Sequence, residues 1–338
     1  MAEASPARGT PDRDIDHDVD RDRNQQHLTQ AAEWFAVLQD SASDEDHRAW
    51  RAWRDADPAH AAAWQRVEAI NSRFLSLAGQ VDRRAAASAI DTVRSAGASR
   101  RRSLKLLGVL GLSCSVGVLT WRAAPWQDLI ADAHTGVGER REFRLPDGTI
   151  LHLNTDTAVQ VAYGTDERRV ELLRGEVLVK TGPDAAGRPW RLTTAEGTLE
   201  ARGTRFSVWR DDADCRLAVF DGEVAVRCAG TGAQRVVAAG QQARFDRSAV
   251  GEVRTAPATL SAWVRGLYVA EGLSLAEVSR DLARHRRGLI TCDERVAALR
   301  VVGTFPLDDD PQLWRALTRA LPIKVSSPLP WWTRIEAA

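Results

Sequence analysis

Hydrophobic and polar positions divide the chain into four stretches of different pattern. In residues 28–38 apolar positions recur every three or four residues, which predicts an amphipathic helix. A run without charge follows at 106–121. Between 141 and 245, short alternating runs are separated by turn residues about every ten positions, which predicts an all-β domain, either a sandwich or a short solenoid. Residues 263–338 mix both periods in the order β-α-β-β-α-β.

Three short helices are predicted between residues 27 and 78. Ser43 and Asp46 form a capping-box-like start for the second helix, and Asp57-Pro58 suits the N-cap and first turn of the third. Large aromatic side chains are frequent here: Trp34, Phe35, Trp50, Trp53 and Trp64. They pack as the core of a very small domain or form a surface that binds a partner, and both interpretations stay open.

The apolar run is flanked as a membrane segment would be. Arg100, Arg101, Arg102 and Lys105 precede it, and Trp121 ends it. Counted from Leu104 it is about as long as the shortest membrane spans, which need roughly 17–25 residues, so we expect one transmembrane helix, with a buried core helix as the alternative. Clustered positive charge keeps the N-terminal part cytoplasmic, and a twin-arginine export signal would give the same topology.

One hairpin is predicted residue by residue. Asp221-Gly222 is a two-residue turn signal, and in that register Cys215 faces Cys228 on one apolar face. The two residues form a cross-strand disulfide or remain buried free thiols.

Two helices are predicted in the C-terminal stretch. Ser274 and Glu277 make a capping box, and Asp310-Pro311 starts the second helix. The acidic run 308–310 suggests a cation site, but a helix N-terminus that favours carboxylates explains it more simply.

Composition excludes several classes of function. The chain has 338 residues, enough for two or three domains, and its formal net charge is zero, so nothing favours nucleic acid. The seven histidines have no paired metal spacing, and no C-x-x-C, Walker A or G-x-S-x-G motif occurs. We therefore expect no cofactor, no metal and no turnover enzyme. Direct DNA binding by the N-terminal helices is also disfavoured, because they lack a basic face.

Two sets of motifs carry a family resemblance. Residues 31–64 (A-A-E-W-F-A-V-L-Q-D through A-H-A-A-A-W) resemble the cytoplasmic domain of FecR-type anti-sigma regulators. The ordered set that resembles the FecR domain itself is T-G-V-G-E-R-R-E-F-R-L-P-D-G-T (135–149), L-R-G-E-V (173–177), R-P-W (188–190), A-R-G-T-R-F-S-V (201–208), D-G-E-V-A-V (221–226) and A-G-Q (239–241). More loosely, residues 263–338 resemble a secretin/TonB short N-terminal domain.

The resemblance implies an inner-membrane anti-sigma factor that spans the membrane once, with a periplasmic C-terminus. Its cytoplasmic helices would bind an extracytoplasmic-function sigma factor through the five aromatic residues named above. The periplasmic part would receive a signal from a TonB-dependent outer-membrane receptor, usually in iron uptake, and stepwise proteolysis by periplasmic and intramembrane proteases would release the sigma factor. The alternative is a structural or assembly protein of the cell envelope with a helical cytoplasmic anchor.

The resemblance also implies one covalent step. In several members of the family the Gly-Thr of this motif, here Gly203-Thr204, is a site of self-cleavage: the threonine hydroxyl attacks the preceding carbonyl. The alternative is an ordinary start of a strand.

The predicted fold class is multidomain: a small all-α cytoplasmic domain, one transmembrane helix, a periplasmic all-β domain and a C-terminal α+β domain. The predicted segments are a disordered tail (1–26), the sigma-factor-binding helices (27–78), a juxtamembrane helix or linker (79–103), the span (104–121), the FecR-like β domain (122–250), a linker (251–262) and the C-terminal domain (263–338).

Overall fold

The computed structural model describes residues 13–39, 42–72, 131–211 and 214–338. They form two compact units. What we call the mixed unit contains the N-terminal helices together with residues 287–297 and 323–338. The β-rich unit contains the described residues from 131 to 286 and residues 298–322.

Six α-helices and one 3₁₀ helix lie within the described ranges. They are Arg13–Gln39 (α1), Asp44–Ala56 (α2), 58–72 (α3, as far as the described residues extend), Leu275–Arg284 (α4), Glu294–Ala297 (α5) and Asp310–Ala320 (α6), with a 3₁₀ helix over Ala258–Arg265.

The strands of the β-rich unit up to residue 255 form one continuous hydrogen-bonded network. They are Ala133–His134 (β1), Arg141–Arg144 (β2), Ile150–Leu153 (β3), Ala158–Tyr163 (β4), Arg168–Lys180 (β5), Trp190–Thr193 (β6), Gly197–Ala201 (β7), Arg205–Arg210 (β8), Cys215–Asp221 (β9), Glu223–Cys228 (β10), Gln234–Ala238 (β11), Gln241–Phe245 (β12) and Arg254–Thr255 (β13). The later strands are Leu267–Ser274 (β14), Leu289–Cys292 (β15), Arg300–Pro306 (β16), Ile323–Leu329 (β17) and Trp332–Ala337 (β18).

Strand β5 connects the two layers of this β sandwich. Its first part pairs with β4 and β6, and its second part, from Gly175 onward, pairs with β8 and, from Val177, with β3. Gly175 has φ +83°, and a Cβ there would lie 2.4 Å from the Thr157 hydroxyl oxygen, so only glycine fits. The core between the layers consists mainly of buried aliphatic residues, with Trp190 and Phe206 among the largest side chains. The predicted all-β pattern of this region is thus confirmed, as a sandwich.

The predicted hairpin between Cys215 and Cys228 is wrong. β9 pairs with β8 and β12, whereas β10 pairs with β7 and β11. A two-residue type I′ turn needs positive φ at both residues. Gly222 has φ +75°, but the φ of Asp221 is not positive. The turn therefore passes the chain from one layer to the other, and the predicted register is lost.

The helices of the mixed unit begin as their sequence predicts. The Ser43 hydroxyl accepts the Asp46 N–H at 3.2 Å, and the Ser43 N–H donates to the Asp46 carboxylate at 2.8 Å, which completes the capping box. The Asp57 carboxylate accepts the Ala59 N–H at 2.8 Å at the start of α3.

The predicted disordered tail is partly helical, because α1 already starts at Arg13. Extending an existing helix by one residue costs less than starting one, so the packed part of α1 supports polar turns ahead of it. The rest of that tail, at 1–12, lies outside the described residues.

The predicted fold class is wrong. A small N-terminal helical region precedes a large β-rich part, and the predicted C-terminal domain is divided: β14, α4, β16 and α6 belong to the β-rich unit, and β15, α5, β17 and β18 to the mixed unit. The antiparallel pair β14–β16 and the sheet β15–β18–β17 are separate. Within the described ranges no helix combines the length and apolar character needed to cross a bilayer. The predicted segments 79–103 and 104–121 lie outside those ranges.

The acidic run 308–310 acts within the protein. The Asp309 carboxylate accepts the Gln312 N–H at 2.8 Å and caps α6, while Asp310 pairs with Arg286 and Asp308 with Arg140. The helix-terminus explanation fits these contacts.

Candidate functional site

The five predicted sigma-factor-binding residues lie together in the mixed unit. The Trp64 ring is 4.8 Å from the Trp50 ring and 5.7 Å from the Phe35 ring, measured between centroids. Phe35 and Trp64 are buried, whereas Trp34, Trp50 and Trp53 are half-buried. The cluster is thus a core with a partly open rim, which combines the two interpretations that the sequence left open.

The rim of this cluster is ordered by polar contacts. The Trp53 ring stacks on His60 with centroids 4.6 Å apart and planes at 12°. The Trp53 indole N–H donates to the Gln30 side chain at 3.0 Å, and the Arg54 guanidinium lies 4.7 Å over the Trp50 ring. The ring stack joins α2 to α3 and the Gln30 hydrogen bond joins α2 to α1, whereas the Arg54–Trp50 contact lies within α2.

The cluster is completed by residues that the sequence did not place there. The Trp331 ring packs 5.5 Å from Phe35, and its indole N–H donates to the Asn71 side chain at 3.1 Å. Leu289 and Trp332 belong to the same buried core. Nothing local in the sequence signals this packing, because it joins residues about as far apart as the chain allows.

The predicted cleavage site lies in the β-rich unit, between β7 and β8. Gly203 is exposed with φ +61°, and a Cβ there would meet nothing within 4 Å, so the positive φ alone requires glycine. Thr204 is 2 % exposed. Its hydroxyl oxygen is buried and has no hydrogen-bond partner among the described residues.

The main chain of Thr204, by contrast, is fully engaged. Its N–H donates to the Thr181 hydroxyl at 2.8 Å, and its carbonyl accepts the Thr181 N–H at 3.0 Å and the Thr181 hydroxyl at 3.2 Å. A buried threonine with a fixed backbone and a free hydroxyl has the features of an intramolecular nucleophile. Sequence reasoning missed Thr181, since no motif marks it.

A buried ion pair between Arg168 and Asp147 lies next to the segment that contains Thr181. The Arg168 guanidinium donates to the Asp147 carboxylate at 2.7 Å and to the Gly182 carbonyl at 3.0 Å. Burial raises the pKa of Asp147, but hydrogen bonds from Thr149 and from Arg168 outweigh it and hold that pKa below its ordinary value. Asp147 therefore stays ionised and holds Arg168, which in turn donates to the Gly182 carbonyl.

Cys215 and Cys228 are both buried and both free thiols in this structure. Cys215 is hydrogen-bonded through its sulfur to a Glu196 carboxylate oxygen, 3.3 Å away. Burial raises the pKa of the Cys215 thiol. The predicted disulfide is wrong here, because the two strands belong to different layers.

Two family profiles match the chain. Residues 131–225 match the FecR protein family, and residues 29–70 match a domain of unknown function, DUF4880. No curated protein matches the sequence.

Two crystal structures of a candidate anti-sigma factor from Parabacteroides distasonis ATCC 8503, at 1.65 Å and 2.50 Å resolution, have a similar fold. Each is 20 % identical to this chain with a TM-score of 0.51, and each match covers 61 % of this chain and 98 % of that one. At this identity the likeness concerns the fold. The chain therefore contains a region similar to the FecR protein family at 131–225, with a region similar to DUF4880 ahead of it at 29–70.

Proposed function

We propose that this chain is an anti-sigma regulator whose N-terminal helices bind a sigma factor and whose β-rich part controls its release. One observation carries the proposal: a DUF4880 region and a FecR domain occur in one chain, whose fold resembles a candidate anti-sigma factor. The finer proposal names an extracytoplasmic-function sigma factor as partner, with a signal from a TonB-dependent receptor and proteolysis as the release step. The predicted inner-membrane location stays a prediction.

The aromatic cluster supports the helices as the binding element. Trp34, Trp50 and Trp53 are half-buried, so each offers part of a rigid ring at the surface. Partly exposed tryptophans of this kind dominate the binding energy of many protein interfaces. Trp53 is held in place by His60 and Gln30, and an interface that is already ordered loses less entropy on binding.

The test uses the full chain with the extracytoplasmic-function sigma factors of its own genome. One of these sigma factors is expected to co-purify with the chain. Transcription from the promoter of that sigma factor is expected to fall when the chain is added to the sigma factor and core polymerase. Trp34→Ala should weaken that binding by about tenfold or more, whereas Val37→Ala, on the exposed face of α1, should not. The proposal fails if no such sigma factor binds.

We further propose that Gly203-Thr204 cleaves itself once. The Thr204 hydroxyl oxygen attacks the Gly203 carbonyl carbon, the C–N bond breaks, and the hydroxyl proton passes to the nitrogen, which leaves an ester. Water then hydrolyses the ester to a Gly203 carboxylate, a restored Thr204 hydroxyl and a free amine. The unpartnered, buried hydroxyl beside a residue of positive φ supports this step.

A denaturing gel of the full chain tests the cleavage. Wild type should give two fragments and Thr204→Ala one uncut chain. Thr193→Ala is the matched control, because the Thr193 hydroxyl is likewise buried without a hydrogen-bond partner among the described residues, and Thr193 lies in β6. Fragments of unchanged size in Thr204→Ala would exclude this bond.

A further inference from the structure

We infer that Thr181 is the positioning residue for this self-cleavage; the inference rests on the proposed reaction and adds a residue to it. Thr181 follows β5, and Thr204 precedes β8. The two residues face each other just beyond the last ladder pair, Lys180 and Arg205.

The ladder is altered at this pair. In a regular antiparallel hydrogen-bonded pair, each residue donates its N–H to the other's main-chain carbonyl. The Thr181 N–H follows this rule and donates to the Thr204 carbonyl at 3.0 Å. The Thr204 N–H instead donates to the Thr181 side-chain hydroxyl at 2.8 Å. A side chain thus takes the place of a backbone acceptor.

The nitrogen held in this way is the nitrogen of the scissile bond. Because Thr181 Oγ1 also donates to the Thr204 carbonyl at 3.2 Å, it bonds the main chain of Thr204 on both sides of its Cα atom. The scissile peptide plane is thereby fixed by one hydroxyl. Fixing the reacting groups of an intramolecular attack lowers the entropy lost in reaching the transition state.

A second close contact restricts the direction of the nucleophile. A Cβ at Gly222 would lie 2.8 Å from Thr204 Cγ2 and 3.1 Å from the Gly203 carbonyl oxygen, so the turn after β9 packs closely over both groups. A β-branched side chain has few χ1 rotamers. Because the Thr204 methyl group is packed, one rotamer is selected, and this rotamer also sets the direction of the hydroxyl. Thr181 holds the backbone while Gly222 holds the side chain.

Thr181 is itself held by the residue that follows it. The Gly182 N–H donates to the Thr149 hydroxyl at 2.9 Å, and the Gly182 carbonyl accepts from the buried Arg168. A Cβ at Gly182 would lie 2.2 Å from the Asp147 carbonyl oxygen. The Thr181 hydroxyl is therefore anchored by the rigid interior of the sandwich.

The test follows the appearance of fragments after cell-free synthesis of the full chain. Thr181→Val keeps the shape and removes the hydroxyl, so the first-order rate should fall by about tenfold or more. Thr181→Ser restores the hydroxyl and should restore the rate to within about threefold of wild type. Thr193→Val removes a buried hydroxyl that has no hydrogen-bond partner in the part of the chain that the structure describes, so the rate should stay unchanged.

Hydroxylamine separates positioning from later steps. It cleaves the ester directly, so it accelerates a chain that has formed the ester and is slow to hydrolyse it. Thr181→Val should stay slow in hydroxylamine while its circular dichroism matches that of wild type. An unchanged rate in Thr181→Val, or full recovery of that rate with hydroxylamine, overturns the inference. Absence of fragments in wild type would instead overturn the cleavage proposal itself.

If Thr181→Val does not reach the native circular dichroism spectrum, the comparison of Thr181→Ser with Thr181→Ala decides. A serine that cleaves and an alanine that folds but does not cleave support the inference, and equal rates in the two contradict it.

Discussion

The β-rich unit builds its sandwich core from residues 133–245, whereas the mixed unit needs strands from the far end of the chain. In the first, strands such as β5 and β8 lie near each other in sequence. In the second, the ring of Phe35 packs against Trp331. The contrast indicates that the three N-terminal helices bury too little apolar surface to be stable alone, and that distant residues supply the remainder.

The largest effect is expected from removing the largest fully buried side chain of the sandwich. Trp190 is fully buried, packs 6.0 Å from the Phe206 ring and donates to the Tyr163 hydroxyl. Trp190→Ala should lower the free energy of unfolding of the β-rich unit by about 3–5 kcal/mol. Urea titration followed by far-UV circular dichroism measures it. Val236→Ala, at a 54 % exposed position, is the control. Similar urea midpoints for the Trp190→Ala and Val236→Ala variants would show that Trp190 does not stabilise the core.

A pH titration probes the same unit. Burial, followed by the charge of Arg284, lowers the pKa of His285 to about 4. The unfolded chain binds the proton near the ordinary pKa of 6.5, so stability is full above pH 6.5 and is lost as pH falls toward 4. The loss should reach about 3 kcal/mol, at about 1.4 kcal/mol for each pH unit.

The control for this titration is His285→Asn, which removes the titrating group. Acidic groups titrate in both proteins, so only the difference between the two curves of unfolding free energy against pH belongs to His285. Parallel curves would contradict the burial of a neutral imidazole.

Trp331→Leu tests whether the two ends of the chain share a core. The variant loses the ring contact with Phe35 and the hydrogen bond to Asn71, which should destabilise the mixed unit by about 2 kcal/mol. Limited proteolysis of α1–α3 measures it, with Trp314→Leu in the β-rich unit as control. Unchanged protection of the helices would mean that they do not need the C-terminal strands, as the predicted placement in two compartments requires.

The smallest effect is expected from an ion pair between the two ends of the chain. Arg334 and Glu33 form an ion pair of 3.3 Å with side chains 34 % and 43 % exposed. A double-mutant cycle with Glu33→Gln and Arg334→Gln should give a coupling energy of about 0.5 kcal/mol that shrinks in high salt. Strictly additive effects of the two substitutions would argue against the contact.

Local signals in the sequence predicted local structure well. The capping box at Ser43 and the one at Ser274 form as expected, because their hydrogen bonds join residues three apart. The strands from Ile150 to Lys180 also match, although the runs on either side of Gly175 are one bent strand.

Features that depend on contacts between distant parts of the chain could not be predicted from the sequence. The order of strands around Asp221-Gly222 depends on which layer each strand joins, and a turn motif does not encode that choice. The candidate cleavage site was marked only by Gly203-Thr204, while Thr181 is identified by the fold alone. The packing of Trp331 against Phe35 is not indicated by any local pattern in the sequence.

The order of strands has a consequence for a chain broken before Thr204. Strands β1 to β7 would fall in one piece and β8 to β18 in the other, yet β8 pairs with β5, and β10 pairs with β7. Each layer of the sandwich would then contain strands of both pieces, so the product is a heterodimer that shares one core. Its unfolding becomes a dissociation, and the midpoint rises with protein concentration as it does for an obligate dimer.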